Sequence, residues 1–442
     1  MVDEIEFYRN RTRRSEHLYK EASDITPLGV GSNFRYFEPY PFFVQRGRGS
    51  KIWDADGNEY IDFAMCFGAL NIGHSHPLLV KELREELESG TMYTLPHEET
   101  AKLSKEIIRR FPVEMVRYCN SGAEATMHAI RLARGYSGKD KIVKIEGCYH
   151  GCHDALLVSI KPPKDSGDPR FPYPIPSSTG IPKETLSNTI VAPFNDLAAM
   201  EAIFKKHPNE IGGLIMEPVP MNMGIVLPEE GYLQSIRDLT IEYNIPLIFD
   251  EIKTGVKIAP GGACEYYGIE PDIITFGKSV GGGIPLAGFA GKEEIMEHVR
   301  PGGVAHMGTY NANPLAIRAG YVTLTKILTE KAYDHMSRLG EKLINGYNEI
   351  IADSGIIARI QSAGPMGAIL FTDDEVKDYR GFLRCDKDLW FKYWIAMLNR
   401  EVIPLPLGHD EQWTISVQHD EEDVQRHLEA FKEVAWTLKL GA

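Results

Sequence analysis

Two periodicities take turns along this chain. Short apolar runs at 142–145, 213–216, 247–249, 273–276 and 286–290 have the length of buried strands. Between them, 78–88, 98–110 and the stretch after Gly122 carry apolar residues every three or four positions, the spacing of helices with one buried face. Strands separated by helices predict an α/β fold with a parallel sheet covered on both faces. The segment 52–61 reads as a hairpin turning at Asp56-Gly57. After Asn313-Pro314 a long helical pattern leads to a C-terminal region with strands of its own. The pattern divides the chain into a large domain, 63–315, and a smaller one assembled from 1–62 and 316–442. No repeat or low-complexity tract interrupts it. The stretch 161–185 opens with a Pro-rich, polar run and is long for a connection. It is either an active-site lid or a tolerated insertion, and its place just after Tyr149 favours a lid.

Chemistry gathers at the strand ends. The run 272–276 delivers Lys278 into a cluster with Gly277, Gly281, Gly282 and Gly283, where the backbone can turn sharply and approach a ligand closely. Burial lowers the pKa of such a lysine and makes its amine a nucleophile able to form an imine. Alternatively, its stem lies along the surface while its head reaches water. A second strand, 245–249, runs into Asp250-Glu251. In open α/β sheets ligands bind beyond the carboxyl ends of the strands, and a buried aspartate there needs a cation or hydrogen-bond donors. It could also simply cap the next turn. Set beside an imine-forming lysine, it matches the pattern of pyridoxal phosphate (PLP) sites, a Schiff-base lysine plus an acid facing the ring nitrogen. A third feature, at 116–126, reads as strand, tight polar turn, helix. Ser121 and Glu124 have capping-box spacing, and a helix start of this kind offers N–H groups and the positive dipole end to a phosphate. Capping by itself explains the same residues.

In order and spacing, Asn120-Ser121-Gly122-Ala123-Glu124-Ala125, Gly147-Cys148-Tyr149-His150-Gly151, Glu217-Pro218, Asp250-Glu251-Ile252 and Gly277-Lys278 through Pro285 resemble the class III, fold-type-I PLP aminotransferases. The likeness runs from near Val30 to near His419 and looks closest to the glutamate-1-semialdehyde 2,1-aminomutase branch and related aminotransferases. The resemblance implies PLP fold type I, a large domain whose mostly parallel seven-stranded sheet lies between helices, plus a smaller α+β domain. It implies that Lys278 holds PLP as a Schiff base and that Asp250 pairs with the pyridine nitrogen, these two being the catalytic residues. Ser121, Gly122 and Ala123 would bind the phosphate. Tyr149 would stack on one ring face and Ile252, where relatives often have Val, on the other, with Asn222 among the cofactor contacts. Thr309 would reach the phosphate of a partner subunit, so the resemblance implies a homodimer with shared active sites. Ser32 and Arg35 resemble the segment that holds a substrate carboxylate, which a guanidinium fork binds through two hydrogen bonds. Arg35 could instead pack among Phe34, Tyr36 and Phe37 at a subunit interface.

Departures from the group bear on the reaction. Many class III aminotransferases carry a Glu five residues after that of Glu-Pro, and a C-terminal Arg that it releases to 2-oxoglutarate. Here those places hold Asn222 and the Arg-free Trp413-Thr414-Ile415-Ser416. That favours the aminomutase-like branch. Yet Lys253 stands where aminomutases typically have Met, Gly31 and Asn33 stand where Asn and Pro are usual, and Thr309-Tyr310-Asn311-Ala312 replaces a Leu-Ser-Gly run. Lys253 lies too close along the chain to Asp250 to be the imine lysine. The expected reaction is transfer of an amino group between a carboxylate-bearing amino acid and an oxo acid or aldehyde, with the freed Lys278 amine as general base. The alternatives are intramolecular amino transfer in glutamate-1-semialdehyde and, behind it, a racemase or epimerase on the same scaffold.

Composition narrows the partners. A formal net charge of -14 over 442 residues disfavours nucleic acid and anionic membranes, and with no spare basic region a DNA-binding regulator is disfavoured too. No apolar run is long enough to span a bilayer, and Met1-Val2-Asp3-Glu4 begins no signal-peptide pattern. Six scattered cysteines do not form a disulfide framework, so a reducing cytoplasm is expected. Cys148, His150, Cys152 and His153 lack the paired spacing of a zinc site, and no metal is expected. The expected partners are a small-molecule amino donor and acceptor.

Overall fold

The computed structural model of the protein describes residues 4–440. They fall into two compact units. One holds Leu78–Tyr333 and Asp374–Arg384, and the other holds the remaining described residues. The chain passes between units after Pro77 and after Tyr333, where the sequence reading set the larger domain at 63–315.

Seven strands form the sheet of the larger unit: β1 (Met115–Cys119), β2 (Lys141–Ile145), β3 (Thr189–Ala192), β4 (Ile211–Met216), β5 (Leu247–Asp250), β6 (Ile273–Phe276) and β7 (Ala287–Gly291). They lie in the order β1-β7-β6-β5-β4-β2-β3. Neighbours from β6 to β3 are parallel, and β7 runs against both β6 and β1. Strands of a sheet covered on both faces have no solvent side to mark with polar residues. Accordingly every residue of β4, β5, β6 and β7 is buried, and these strands read as nearly unbroken apolar runs.

Helix α1 (Gly122–Ser137) leads from β1 towards β2. Ser121 caps its start, and Gly138, at φ +68°, closes its end in the left-handed conformation that a β-carbon disfavours. Its buried face, with Ala129, Leu132 and Ala133, shares a core with Ile142, Ile215, Ile248 and Ile273. Each large aliphatic side chain buried there contributes roughly 1.5–3 kcal/mol. The core therefore fixes the sheet, and the sheet fixes where its strand ends point.

The other unit carries two small sheets. Val44–Arg48, Lys51–Asp54, Glu59–Asp62 and Val402–Ile403 form one, and Arg359–Ala363, Met366–Leu370 and Trp413–Thr414 the other. The hairpin at Asp56-Gly57 is organised by one buried carboxylate. Asp54 accepts from the N–H groups of Asp56 (3.0 Å) and Asn58 (2.8 Å) and from the Tyr60 hydroxyl (2.9 Å).

Back in the larger unit, 161–185 is more structured than its composition suggests. Gly167–Asp168 pairs with Phe171–Pro172, and Lys183–Leu186 makes one helical turn. Its base closes through Ser159 N to Ile175 O (2.7 Å) and Ser177 N to Leu157 O (3.0 Å). Two-residue strands are too short to leave a period in the sequence. Among the described residues no helix is long and apolar enough to cross a membrane.

Candidate active site

Parallel register sets the carboxyl ends of β5 and β6 side by side. Asp250, the last residue of β5, pairs in register with Thr275 of β6, and Lys278 follows three residues on. Glu217 directly follows β4, the other neighbour of β5. Residues distant in sequence thus meet at one end of the sheet.

Asp250 is only 3% exposed. Its Oδ1 accepts from Thr275 Oγ1 (2.9 Å) and from the Ile252 N–H (3.1 Å). The second of these is the turn-capping bond an isolated strand-end aspartate would make. Oδ2 accepts from His150 Nδ1 (2.7 Å), a bond that capping does not require. His150 is buried, and burial holds its pKa below the ordinary imidazole value against the opposing pull of Asp250. A neutral imidazole orients the carboxylate without neutralising it.

Lys278 is half-buried and sits at φ +48°, in the left-handed region. For a residue with a side chain this conformation costs roughly 1–2 kcal/mol. Such strain persists where the surroundings over-determine the backbone. Gly277 before it and Gly282 after it, the latter at φ +55°, supply the turn.

Other ionisable groups crowd this end. Burial and the Asp250 charge push the Glu217 carboxyl up to about 7, while the Lys253 and Lys278 ammonium groups pull it down. Lys257, wholly buried, donates to Ile252 O (3.2 Å). Burial first, then the charges of Lys278 and Lys253, drive its amine well below the ordinary lysine range. Lys253 itself is buried. Three amines and the carboxylates of Glu217 and Asp250 therefore act on one another in a space largely closed to water.

The expected capping box is present. Glu124 N donates to Ser121 Oγ (3.3 Å), and Glu124 Oε2 accepts from Asn120 N (2.6 Å) and Ser121 N (3.1 Å). The N–H groups of Gly122 and Ala123 take no part in it. A Cβ added to Gly122 would lie 2.6 Å from Ile252 Cδ1 and would have to push that methyl aside, so the glycine keeps the gap between the helix start and Ile252 open. The turn 147–151 is locked to the same helix. Thr126 Oγ1 donates to His150 O (2.5 Å), and a Cβ on Gly151 would lie 2.5 Å from Ala123 Cα. Tyr149 stands half-buried on that turn, 3.3 Å from Cys152 Sγ through its hydroxyl.

Asn222 is buried in the segment after Glu217. Thr309 is exposed, and its segment is tied to the helix start, because Asn120 Nδ2 donates to Asn311 Oδ1 (3.1 Å). A cavity of about 730 Å³ beside it is lined by Tyr93, Thr94, His97, Thr309 and Asn311, among others. Ser32 and Arg35 belong to the other unit, Ser32 half-buried and Arg35 exposed in the turn Asn33–Arg35. Their neighbour Phe34 lies against Phe67, ring centroids 5.6 Å apart.

The sequence reading gave no role to His150, Thr275, Glu217 or Lys257. Thr275 had left a signal, a lone hydroxyl inside an otherwise apolar buried strand. His150 left one only as part of a motif, because its partner is a hundred residues away. Among the described residues no group of three or more His, Cys, Asp or Glu could hold a metal ion. The residues that do converge suit an aromatic coenzyme carrying an aldehyde, a ring nitrogen and a phosphate. They offer an amine at a strained turn, a buried carboxylate with neutral donors, and a helix start whose glycine leaves room beside an aliphatic wall.

Comparison with known proteins places these features in context. The family model for class-III aminotransferases matches residues 35–403. Glutamate-1-semialdehyde 2,1-aminomutase of Methanothermobacter thermautotrophicus is 41% identical over 428 residues, covering 96% of this chain and 100% of that protein. An omega-transaminase from Sphaerobacter thermophilus matches with a TM-score of 0.92 and 32% identity, over 97% of this chain and 98% of that one. A transaminase with PLP bound matches with a TM-score of 0.88 and 27% identity, over 97% and 99%.

Proposed function

Because the chain belongs to the class-III aminotransferases, PLP-dependent enzymes of fold type I, we propose that it moves an amino group between two separate small molecules, a carboxylate-bearing amino acid and an oxo acid or aldehyde. Bound PLP supplies an aldehyde and an electron-withdrawing ring that stabilises negative charge at the substrate Cα. The remaining work falls to the chain's own residues. Lys278 Nζ is the amine that would hold the aldehyde, and it would serve as the base that carries the proton taken from the substrate Cα. Asp250 keeps the ring nitrogen protonated, and His150 keeps Asp250 oriented. Ser121, Gly122 and Ala123 receive the phosphate at the start of α1. Tyr149 and Ile252 would hold the ring from its two faces, with Asn222 among the coenzyme contacts. Ser32 and Arg35 hold the substrate carboxylate. The observation that carries this reading is the buried set Asp250, His150 and Thr275 at the strand end next to Lys278.

In the same reading the enzyme is a homodimer, with Thr309 reaching the partner's coenzyme phosphate. Supporting this, Leu95, Met307 and Tyr310 are 78%, 83% and 65% exposed close to Thr309 in sequence or along the cavity it lines, apolar surface that calls for cover. The larger domain carries the coenzyme, and the net charge of -14 with six free cysteines suits the cytoplasm.

A second reading, amino transfer within one molecule of glutamate-1-semialdehyde, is favoured by the full-length likeness to the aminomutase of M. thermautotrophicus. Lys253, a buried amine where aminomutases typically have Met, favours the first. Incubation of the holoenzyme with an amino donor, with and without an oxo-acid acceptor, separates them. Turnover only when the acceptor is present supports intermolecular transfer. Conversion of the semialdehyde with neither donor nor acceptor added overturns it in favour of the aminomutase. Inversion of chirality without an oxo product marks a racemase.

A further inference from the structure

Arg380 and Tyr379 lie in a short segment, Asp374–Arg384, that joins the larger unit from late in the chain. The Arg380 guanidinium makes four hydrogen bonds. Nε and Nη2 donate to the two oxygens of Glu146 (2.9 and 2.7 Å), Nη2 also reaches Ser166 O (3.2 Å), and Nη1 donates to Lys164 O. The Tyr379 hydroxyl donates to Pro162 O (2.9 Å). Its ring closes over Gly147, where an added Cβ would lie 2.5 Å from Cδ2. Two adjacent residues thus hold two segments at once. One is Glu146-Gly147, the turn that leads into Tyr149, and the other is 162–166, the root of the Pro-rich stretch.

The far side of the turn is held by Thr126, which bonds His150 O, and by Lys144, which donates to Cys148 O (2.8 Å), but among the described residues only the side chains of Arg380 and Tyr379 tie its start to 162–166. Glu146 is 2% exposed at the end of β2, and burial pushes its carboxyl up while Arg380 holds it down. Gly147, at φ +84°, adds no side chain to the turn. Beyond the root, the tip of the stretch turns outward, with Phe171 and Tyr173 41% and 64% exposed.

We propose that Arg380 is a positioning residue, which by clamping Glu146 to the root of 161–185 fixes the Tyr149 turn and confines movement of that stretch to its tip. The proposal rests on Tyr149 forming one wall of the coenzyme pocket. The planar fork is essential to it, because a guanidinium serves several acceptors in fixed directions and an ammonium does not.

Holoenzyme carrying Arg380→Met, Arg380→Lys or Tyr379→Phe tests this through two readouts other than turnover. The visible circular dichroism of the coenzyme reports how asymmetrically its ring is held, and the rate of tryptic cleavage after Lys164 and Arg170 reports freedom of the root. Arg380→Met is expected to lose about half or more of the dichroism and to be cleaved about tenfold faster, since local opening sets cleavage. Its KM for the amino donor rises about fivefold while kcat changes less, as expected when positioning rather than chemistry is lost. Arg380→Lys recovers less than half of each loss, and Tyr379→Phe quickens cleavage about two- to threefold with unchanged dichroism. Wild-type dichroism and cleavage in Arg380→Met overturn the proposal, as does full recovery in Arg380→Lys. Should Arg380→Met fail to fold, Arg380→Lys decides by the same readouts, and wild-type values again overturn it. A wild-type protein that forms no coloured imine would sink the coenzyme reading, and the cleavage rates alone would then decide the clamp.

Discussion

Asp250 and Asp272 stand at opposite ends of the same two strands and are treated in opposite ways. Asp272, just before β6, receives the Arg237 fork (2.7 and 2.8 Å), the Lys292 ammonium (3.0 Å) and the Leu247 N–H (2.9 Å). Although burial pushes its carboxyl up, Arg237 and the Leu247 N–H bring it below the ordinary aspartate value. Asp250 is held by a hydroxyl, an N–H and an imidazole whose pKa burial keeps low. A carboxylate answered by a fork and an ammonium is finished as a structural unit. One held by neutral donors keeps its charge for a cation that arrives later. Within one sheet, the partner set separates a staple from a site more clearly than burial does.

The largest break in this comparison is Lys278→Ala. Turnover should fall by about 10³-fold or more, and the imine absorbance should vanish from spectra of protein mixed with PLP. Retained full activity would remove Lys278 from the chemistry.

Next come the two aspartates, exchanged for asparagine one at a time. Asp250→Asn should lower kcat by about 10²-fold or more, with denaturant unfolding of the cofactor-free protein shifted by about 1 kcal/mol or less. Asp272→Asn should do the reverse, leaving kcat within about twofold and destabilising by about 2–4 kcal/mol. The sign with pH follows from the lowered carboxyl of Asp272. Its stabilisation is present above the ordinary value of 3.8 and is lost as pH falls through the folded value, so the gap between wild type and variant closes in acid. Equal effects of the two substitutions on kcat would collapse the contrast.

A smaller effect comes from Glu217, whose folded value of about 7 lies above the ordinary 4.5. An acid raised in this way weakens the fold as pH climbs from the unfolded value to the folded one. In the cofactor-free protein Glu217→Gln should gain on wild type across that interval, by about 3 kcal/mol in total. A gap that does not vary with pH would place Glu217 in contact with compensating charge. The mildest test is Gly122→Ala, which crowds Ile252 Cδ1 and should weaken coenzyme binding about five- to tenfold. Ile252→Val, lacking that atom, should restore part of the loss in the double variant, as measured by titration of the imine absorbance.

Much of this architecture is written locally. Buried parallel strands such as β4, β5 and β6 announce themselves as apolar runs, and the chemistry of Lys278 and Asp250 shows because each interrupts such a run at its end. The Ser121–Glu124 spacing is realised as hydrogen bonds for the same reason, since both partners lie within one helical turn. What the chain hides is pairing across distance. The direction of β7 depends on its neighbours, and its own residues look like those of a parallel strand. His150 and Asp250 meet only because β2 and β5 flank β4, and Arg380 reaches Glu146 from the far end of the chain. Asp272 illustrates the converse difficulty, because nothing beside it in sequence distinguishes a saturated carboxylate from an available one.

The box formed by Ser121 and Glu124 has a bearing on how the enzyme is loaded. Because the start of α1 is tied off by its own side chains, its shape does not wait for an anion to arrive. On the proposed reading, a freshly made chain holds its phosphate socket open and in register before any vitamin-derived group is at hand. Docking then organises little that was loose, and an emptied enzyme can be refilled.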